Sequence, residues 1–313
     1  MRPAFPFVVG SQRSGTTLVR AMLDSHPLMS VPPESWFVTE LASEQLRYSD
    51  GGAFDAGAFL ADLEKHPRFE RWELPAEATR AAVLDSPAGD FPEAVRRVFE
   101  LFACRRGKSR YGDKTPPYVE RLPLLAELFE EACFLHVIRD GRDVATSAID
   151  APWGPDNAIR AALDWRTRVE AGRRAGRALG HERYLEIRYE ALVGEPERTL
   201  RTICAFVALD FDPAMFSYVD RADELQASGF HANVNPNLAR PPTSGLRDWR
   251  TQMAPADILS FELVAGDLLD RLGYERSQRE PSDGDVARAA PGLVTELERL
   301  RRRVSRLEGA SDA

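Results

Sequence analysis

The chain reads as an α/β protein of three layers, with a central parallel sheet and a helical tail at the C-terminal end. Three stretches carry this expectation. Phe7, Val8 and Val9 form a short apolar run ending at Gly10, and from Thr16 the apolar residues Leu18, Val19, Met22 and Leu23 recur at helical intervals. A buried strand therefore turns into a helix through a glycine-containing loop. Residues 133–138 (CFLHVI) are the most strand-like run in the chain, as a central parallel strand covered on both faces must be. Past Tyr274 the composition turns polar, and Leu293, Leu297, Leu300, Val304 and Leu307 then follow at spacings of 4, 3, 4 and 3, the a/d pattern of a helix with one apolar seam.

The first loop, Gly10-Ser11-Gln12-Arg13-Ser14-Gly15-Thr16-Thr17, organises the rest. A glycine-rich turn from strand to helix aims several backbone N–H groups at one spot, at the positive end of the helix, and such a spot holds a phosphate. The Lys of G-x-x-x-x-G-K-[ST] is missing, because Thr16 stands in its place. The cation is Arg13, and the Thr16 and Thr17 hydroxyls can donate to phosphate oxygens. The alternative is an ordinary strand–turn–helix whose glycines serve close packing.

Composition narrows the setting. With 313 residues the chain suits one large domain, alone or with an appendage. A formal charge of −8 argues against a general affinity for nucleic acid or anionic membrane, so any anion site is local. Cys104, Cys133 and Cys204 make no CxxC pair, which predicts reduced thiols with neither a disulfide framework nor a zinc site. No signal peptide precedes the first strand and no apolar run is long enough to span a bilayer. The expectation is a soluble, cytoplasmic protein.

Along the chain, Ser25-His26-Pro27 stops the first helix. Met29-Ser30-Val31 reads as a second short strand, which sets Glu34 just past a strand end, where α/β sheets carry their ligands. Its alternative is an acid at a helix start. Residues from about 39 to 110 read as a helical segment packed over the sheet, forming the acceptor side of a cleft; Phe59, Leu60 and Leu63 mark one helix and residues 94–104 another. Residues 111–117 form a tight polar turn ahead of a helix over roughly 118–129. Lys114 in that turn is either a solvated loop lysine or a group facing the phosphate loop. Arg139 ends the 133–138 strand and Ser147 follows on the next helix. A guanidinium fork and a hydroxyl there suit a second phosphate, and an Arg139–Asp143 ion pair is the structural alternative.

Taken together, FVVGSQRSGTTLVRAML and FLHVIRDGRDVATSAI resemble the PAPS-dependent sulfotransferase family. The resemblance covers about residues 5–274 and implies a P-loop-like three-layer domain. In that family the first loop holds the 5′-phosphosulfate, here Arg13, Ser14, Gly15, Thr16 and Thr17, and the Arg…Ser pair holds the 3′-phosphate, here Arg139 and Ser147. Residues 184–189 (YLEIRY) resemble the strand and loop whose Tyr flanks the adenine, here Tyr189. Residues 245–250 (GLRDWR) resemble the late G-x-x-x-W-[KR] segment. Thr243-Ser244-Gly245 replaces the Arg-Lys-Gly of the cytosolic branch, so closure over the 3′-phosphate leans on Arg247 or Ser244.

RSGTTLVRAMLDSHP followed by Pro33-Glu34 is most similar to the tyrosylprotein sulfotransferase-like, bacterial branch. That similarity implies Glu34 as general base and Lys114 as the loop lysine, with Arg13 completing the catalytic set. The secretory anchor and paired cysteines of that branch are absent from the sequence, so protein tyrosine is not implied as acceptor. A hydroxyl or amine of a small-molecule or carrier-bound acceptor is expected. PAPS would be the co-substrate, without a metal, since a singly charged sulfuryl needs less neutralisation than a phosphoryl and no carboxylate cluster argues for one.

Two other classes compete. A P-loop kinase for a small molecule would want a loop Lys and a magnesium-holding acid, and a non-catalytic nucleotide-binding scaffold would use the tail to assemble. The expected organisation is a sulfotransferase domain over 1–275, a polar linker over 276–285 and a helical tail over 286–313. The seam favours a homo-oligomer through this tail, and a helix docked on the domain is the alternative.

Overall fold

The structure, a computed structural model, describes residues 2–50, 53–84, 89–221, 239–243, 247–277 and 282–311. In chain order its elements begin with β1 (Phe5–Gly10), α1 (Thr16–Ser25), β2 (Met29–Ser30), α2 (Phe37–Ala42), β3 (Ser49–Asp50), β4 (Ala53–Phe54), α3 (Ala56–Lys65), α4 (Ala76–Leu84) and α5 (Phe91–Cys104). They continue with β5 (Arg110–Tyr111), β6 (Asp113–Lys114), α6 (Leu122–Leu128), β7 (Ala132–Ile138), α7 (Gly141–Ile149), α8 (Ala158–Leu179), β8 (Tyr184–Arg188), α9 (Tyr189–Gly194) and α10 (Pro196–Phe206). After residue 247 come α11 (Trp249–Gln252), α12 (Pro255–Arg271) and α13 (Asp283–Ser311). The chain divides into two compact units, residues 1–138 with 171–244 and residues 139–170 with 245–313.

The first unit is the expected three-layer α/β arrangement. Its sheet has the order β6-β1-β7-β8, and all its pairings are parallel. β1 and β7 are buried along their whole length, which is why both read as continuous apolar runs. Alternation along β1 divides the core. Phe5, Phe7 and Val9 face Phe37, Phe59, Trp72 and Phe99 from the 39–110 segment and its borders. Val8 faces the other way, with Leu135 and Val137, onto Val19, Met22 and Leu23 of α1 and Leu200 and Ile203 of α10. The 39–110 segment is thus helical and packed over one face of the sheet; it also contains the antiparallel pair β3–β4. α5 shows how local sequence sets a boundary: Asp90 caps it by accepting from the Glu93 amide at 2.7 Å, and Pro92 falls in its first turn.

Two expectations are corrected. The polar turn over 111–117 is a pair of short strands, β5 joined to β2 and β6 to β1. Gly112 divides them where a Cβ would stand 3.0 Å from the Pro6 carbonyl oxygen. The helix expected over 118–129 is a 3₁₀ turn, Pro116–Glu120, followed by α6. The break falls at Arg121 (φ −122°), just ahead of Pro123 in the first turn of α6, where proline is tolerated.

In the second unit, Asp140 caps α7 through the Arg142 amide at 2.9 Å. The Arg142 side chain is fully buried, paired with Asp140 at 2.7 Å and Glu262 at 2.6 Å, and lies 3.6 Å from the Trp249 ring centroid. Gly141 has no room for a side chain, because Trp165 and Phe261 would meet its Cβ at 2.5 and 2.6 Å. α13 starts inside the expected linker and carries Pro291 within it. Its Ala289 and Glu296 are buried, Glu296 pairs with Arg160 at 3.2 Å, and Gly292 lies against Ile159. This stretch is docked, as the alternative reading of the tail had it, while Val294 and Leu297 stay exposed. The side chains of Leu300, Val304 and Leu307 lie outside the described ones. Among the described residues no helix is long and apolar enough to cross a membrane.

Candidate active site

The strand-to-helix loop is built on positive φ angles. Gly10 sits at φ 151°, Arg13 at 69° and Gly15 at 100°. The Ser14 hydroxyl and amide both donate to the Ser11 carbonyl, at 2.6 and 3.2 Å, which closes the turn. Gly10 is required by contact as well as by conformation, since a Cβ there would lie 2.5 Å from the Val137 carbonyl oxygen on β7. Gly15 is the N-cap of α1 and supplies no side-chain cap to its first amides. Those amides, with the Thr16 and Thr17 hydroxyls and Arg13, form the kind of helix terminus that attracts an anion. The Tyr189 ring presses on the same spot, where a Cβ at Gly15 would come within 2.3 Å of it. Loop and Tyr189, far apart in sequence, are thus brought together.

Glu34 and Lys114 also meet. β6 lies beside β1 with Lys114 opposite Val8, and the Lys114 ammonium donates to Glu34 Oε1 at 2.6 Å. Glu34 Oε2 accepts from the Trp36 indole Nε1 at 2.8 Å. Burial works to raise the Glu34 carboxyl, but the Lys114 charge, the hydrogen bonds from Lys114 and Trp36 and the nearby Arg68 charge outweigh it and hold the group below its ordinary value. Of the two possibilities for Lys114, the solvated lysine is set aside: the side chain is 6% exposed.

Beneath this pair is a buried polar row. The Ser35 amide donates to Thr115 Oγ1 at 3.1 Å, and the Ser35 hydroxyl meets the Tyr118 hydroxyl at 3.0 Å. Thr115 donates to Asp113 Oδ2 at 3.3 Å. Burial pushes Asp113 up to about 7, against the hydrogen bonds of Ser35 and Thr115 and the Lys114 charge, with Glu34 adding to the rise. Trp36, Ser35 and Thr115 were not singled out in the sequence. No sequence signal brought Trp36 to Glu34, because the turn that joins them rests on a positive φ (47°) at Trp36.

In the second unit Arg139 donates from Nη2 to Asp143 Oδ2 and to the Arg247 carbonyl, both at 3.2 Å. The ion pair raised as an alternative is therefore present, and the same guanidinium tethers the segment that carries Arg247. The Arg247 side chain itself pairs with Asp150 at 2.7 Å. Ser147 is buried on α7. Ser244 lies outside the described residues. Among the described residues no group of three or more His, Cys, Asp or Glu side chains is placed to hold a metal ion.

The model of the sulfotransferase family matches residues 6–213. The chain belongs to the sulfotransferase family. This sulfotransferase is 26% identical to nodulation protein NoeE of Sinorhizobium fredii, over 95% of this chain and 72% of that protein. It is 24% identical to protein-tyrosine sulfotransferase 2 of Gallus gallus, over 89% of this chain and 71% of the relative. Among solved structures it is similar to the sulfotransferase domain of the Synechococcus PCC 7002 olefin synthase, with a TM-score of 0.60 and 27% identity over 88% of this chain and 96% of that one. A sulfotransferase domain from the curacin biosynthetic pathway shares the fold, with a TM-score of 0.59 and 23% identity over 88% and 99%. The protein is an enzyme of sulfuryl transfer, and its curated relatives are of the tyrosylprotein sulfotransferase-like branch, as its first loop and Pro33-Glu34 led one to expect.

Proposed function

We propose that this sulfotransferase takes its sulfuryl group from PAPS and passes it to a hydroxyl or amine of a small-molecule or carrier-bound acceptor, with Glu34 as general base. The observation that carries the reading is the Lys114–Glu34 contact of 2.6 Å, which joins a cation and a carboxylate at the end of the strand beside the phosphate loop. The loop fits a phosphosulfate: its helix start has no side-chain cap, and its glycines leave no bulk above the amides. Tyr189 against Gly15 supports its role beside the adenine. Arg139 and Ser147 are taken to hold the 3′-phosphate, with closure by Arg247 or Ser244.

In the proposed step Glu34 accepts the acceptor's proton while the new bond to sulfur forms. The bond from sulfur to the bridging oxygen breaks, and PAP leaves with the electron pair. Negative charge grows on that oxygen, where Lys114, Arg13 and the loop amides stabilise it. Lys114 then has two calls on its charge, Glu34 in the resting enzyme and the leaving oxygen during transfer. As it turns to the second, Oε1 is released to receive the proton. Three cysteines that are free of disulfides support a cytoplasmic setting as part of this reading.

Glu34→Gln tests the assignment. Gln keeps the size, and its one amide oxygen can still accept from Lys114 or Trp36, but it takes no proton, so kcat should fall by about 100-fold to 10,000-fold. PAP binding should stay near the parent's, and the melting temperature should fall modestly because the nearly covered Lys114 loses its charged partner. Labelled PAPS offered to lysate fractions, read by mass spectrometry, supplies the acceptor for the assay. A Glu34→Gln enzyme with near-parental kcat would refute the assignment.

A further inference from the structure

Trp36 combines two unusual features in the first unit. Its backbone lies at φ 47° and ψ −43°, a conformation that a bulky residue keeps only where its surroundings over-determine it. Its indole N–H, in turn, is spent on the Glu34 carboxylate.

The surroundings can be named. On one side Ser35 is pinned by Thr115 and Tyr118, at 3.1 and 3.0 Å. On the other, Phe37 is buried at the start of α2, with its ring 5.3 Å from that of Trp72 and 5.7 Å from that of Phe69. With both neighbours fixed, the strain falls on residue 36. The Arg68 guanidinium lies 5.2 Å from the Trp36 ring centroid on the indole's face, which further restricts the ring. The outcome is an N–H aimed at Oε2, while Oε1 faces Lys114.

We infer that Trp36 is a positioning residue for sulfuryl transfer: its indole N–H fixes Glu34 Oε2, so that Oε1 is the oxygen that receives the acceptor's proton when Lys114 turns to the leaving group. This rests on the reading of Glu34 as the base. The proton passes from the acceptor to Oε1, and the hydrogen bond to Oε2 is kept throughout. The indole also stabilises the ionised carboxylate, as a donor to the charged form does. The charged groups that bear on Glu34 are Lys114 and Asp113 on β6, Arg20 on α1, and Arg68 and Arg71 after α3. Of these only Arg68 touches Trp36, over its ring, so a replacement that keeps the two-ring face isolates the loss of the N–H.

The test uses Trp36→Phe and, in case that protein folds poorly, the full chain with benzothienylalanine at position 36, which replaces the indole N–H by sulfur at nearly constant shape. Glu34 is followed by NMR of carbon-labelled glutamate carboxyls, assigned by the signal missing in Glu34→Gln. In the parent, the Trp36 indole proton should shift with the midpoint of the Glu34 titration. In both variants Glu34 should titrate at higher pH. With the screened acceptor, kcat should fall by about tenfold to a hundredfold, the scale of a misplaced reacting group, with KM for PAPS unchanged and the acid limb of kcat moved to higher pH. An unchanged Glu34 titration in the variants, or an unchanged kcat while Glu34→Gln is inactive, overturns the role of Trp36 and leaves the base standing. An active Glu34→Gln enzyme removes the base, whatever the indole does.

Discussion

Replacing Asp113 by Asn should change how stability depends on pH, and the structure gives the size and the sign. Asp113 opens β6 and is fully buried. Its Oδ2 accepts from Thr115 at 3.3 Å, and its Oδ1 finds no hydrogen-bond partner among the described residues. A carboxylate there is costly, so burial raises the group from 3.8 to about 7. Between those values the folded protein holds a proton that the unfolded chain has released. The contribution to stability is therefore full below 3.8 and is lost as pH rises through about 7. At roughly 1.4 kcal/mol per unit, the loss amounts to about 4 kcal/mol. Asn carries no charge at either end of the window, and its amide can still accept from Thr115. Relative to the parent, Asp113→Asn should gain about 4 kcal/mol between acid and mildly alkaline pH. His136 has the opposite slope: burial lowers it from 6.5 to about 3, so its contribution is lost as pH falls through that range. It is common to both proteins and cancels in the difference. Urea midpoints at several pH values and fixed ionic strength measure the effect. Parallel pH–stability curves for the two proteins would refute the reasoning. Because the Glu34 charge helps to raise Asp113, Glu34→Gln should in addition move the upper edge of the window to lower pH.

Two further outcomes are expected. Arg139→Ala should weaken PAP by about 2–3 kcal/mol, the scale of a charge-assisted forked contact, and adenosine 5′-phosphosulfate much less; equal losses for both in calorimetry would move Arg139 away from the 3′-phosphate. Removing α13 by truncation at about Ser282 should lower the number of chains per particle seen by light scattering while PAP still binds, since Val294 and Leu297 are left exposed by its docked face; an unchanged number of chains would leave that helix as one docked on its own chain.

What was legible in the sequence is what local sequence controls. β1 and β7 are long and covered on both faces, so each announces itself as an apolar run. The loop between β1 and α1 must reach positive φ at Gly10 and Gly15, and only particular residue types do so freely. β5 and β6 are two residues each, too short to carry a pattern of their own, and they exist because β2 and β1 lie ready to pair with them. The division into two units was equally hidden, because residues 139–170 pack with a stretch that begins only at 245. Asp140, Arg142 and Glu262 show the difficulty: an ion cluster in which Arg142 and its partner Glu262 stand 120 residues apart leaves no spacing to read.

Glu34 had two readings in the sequence, and its geometry bears against the helix-start one. An acid that served only the positive end of a helix would sit at the cap or in the first turn and accept from backbone amides, for about 0.3–1 kcal/mol. α2 is capped at Trp36, and the acid in its first turn is Glu40. Glu34 precedes that cap and accepts from two side chains, the Lys114 ammonium and the Trp36 indole. Its side chain remains 28% exposed while Lys114 is almost covered. A carboxylate held ionised, turned by its neighbours and still open to solvent is poorly placed to stabilise a helix of six residues. It is well placed to meet a proton from outside.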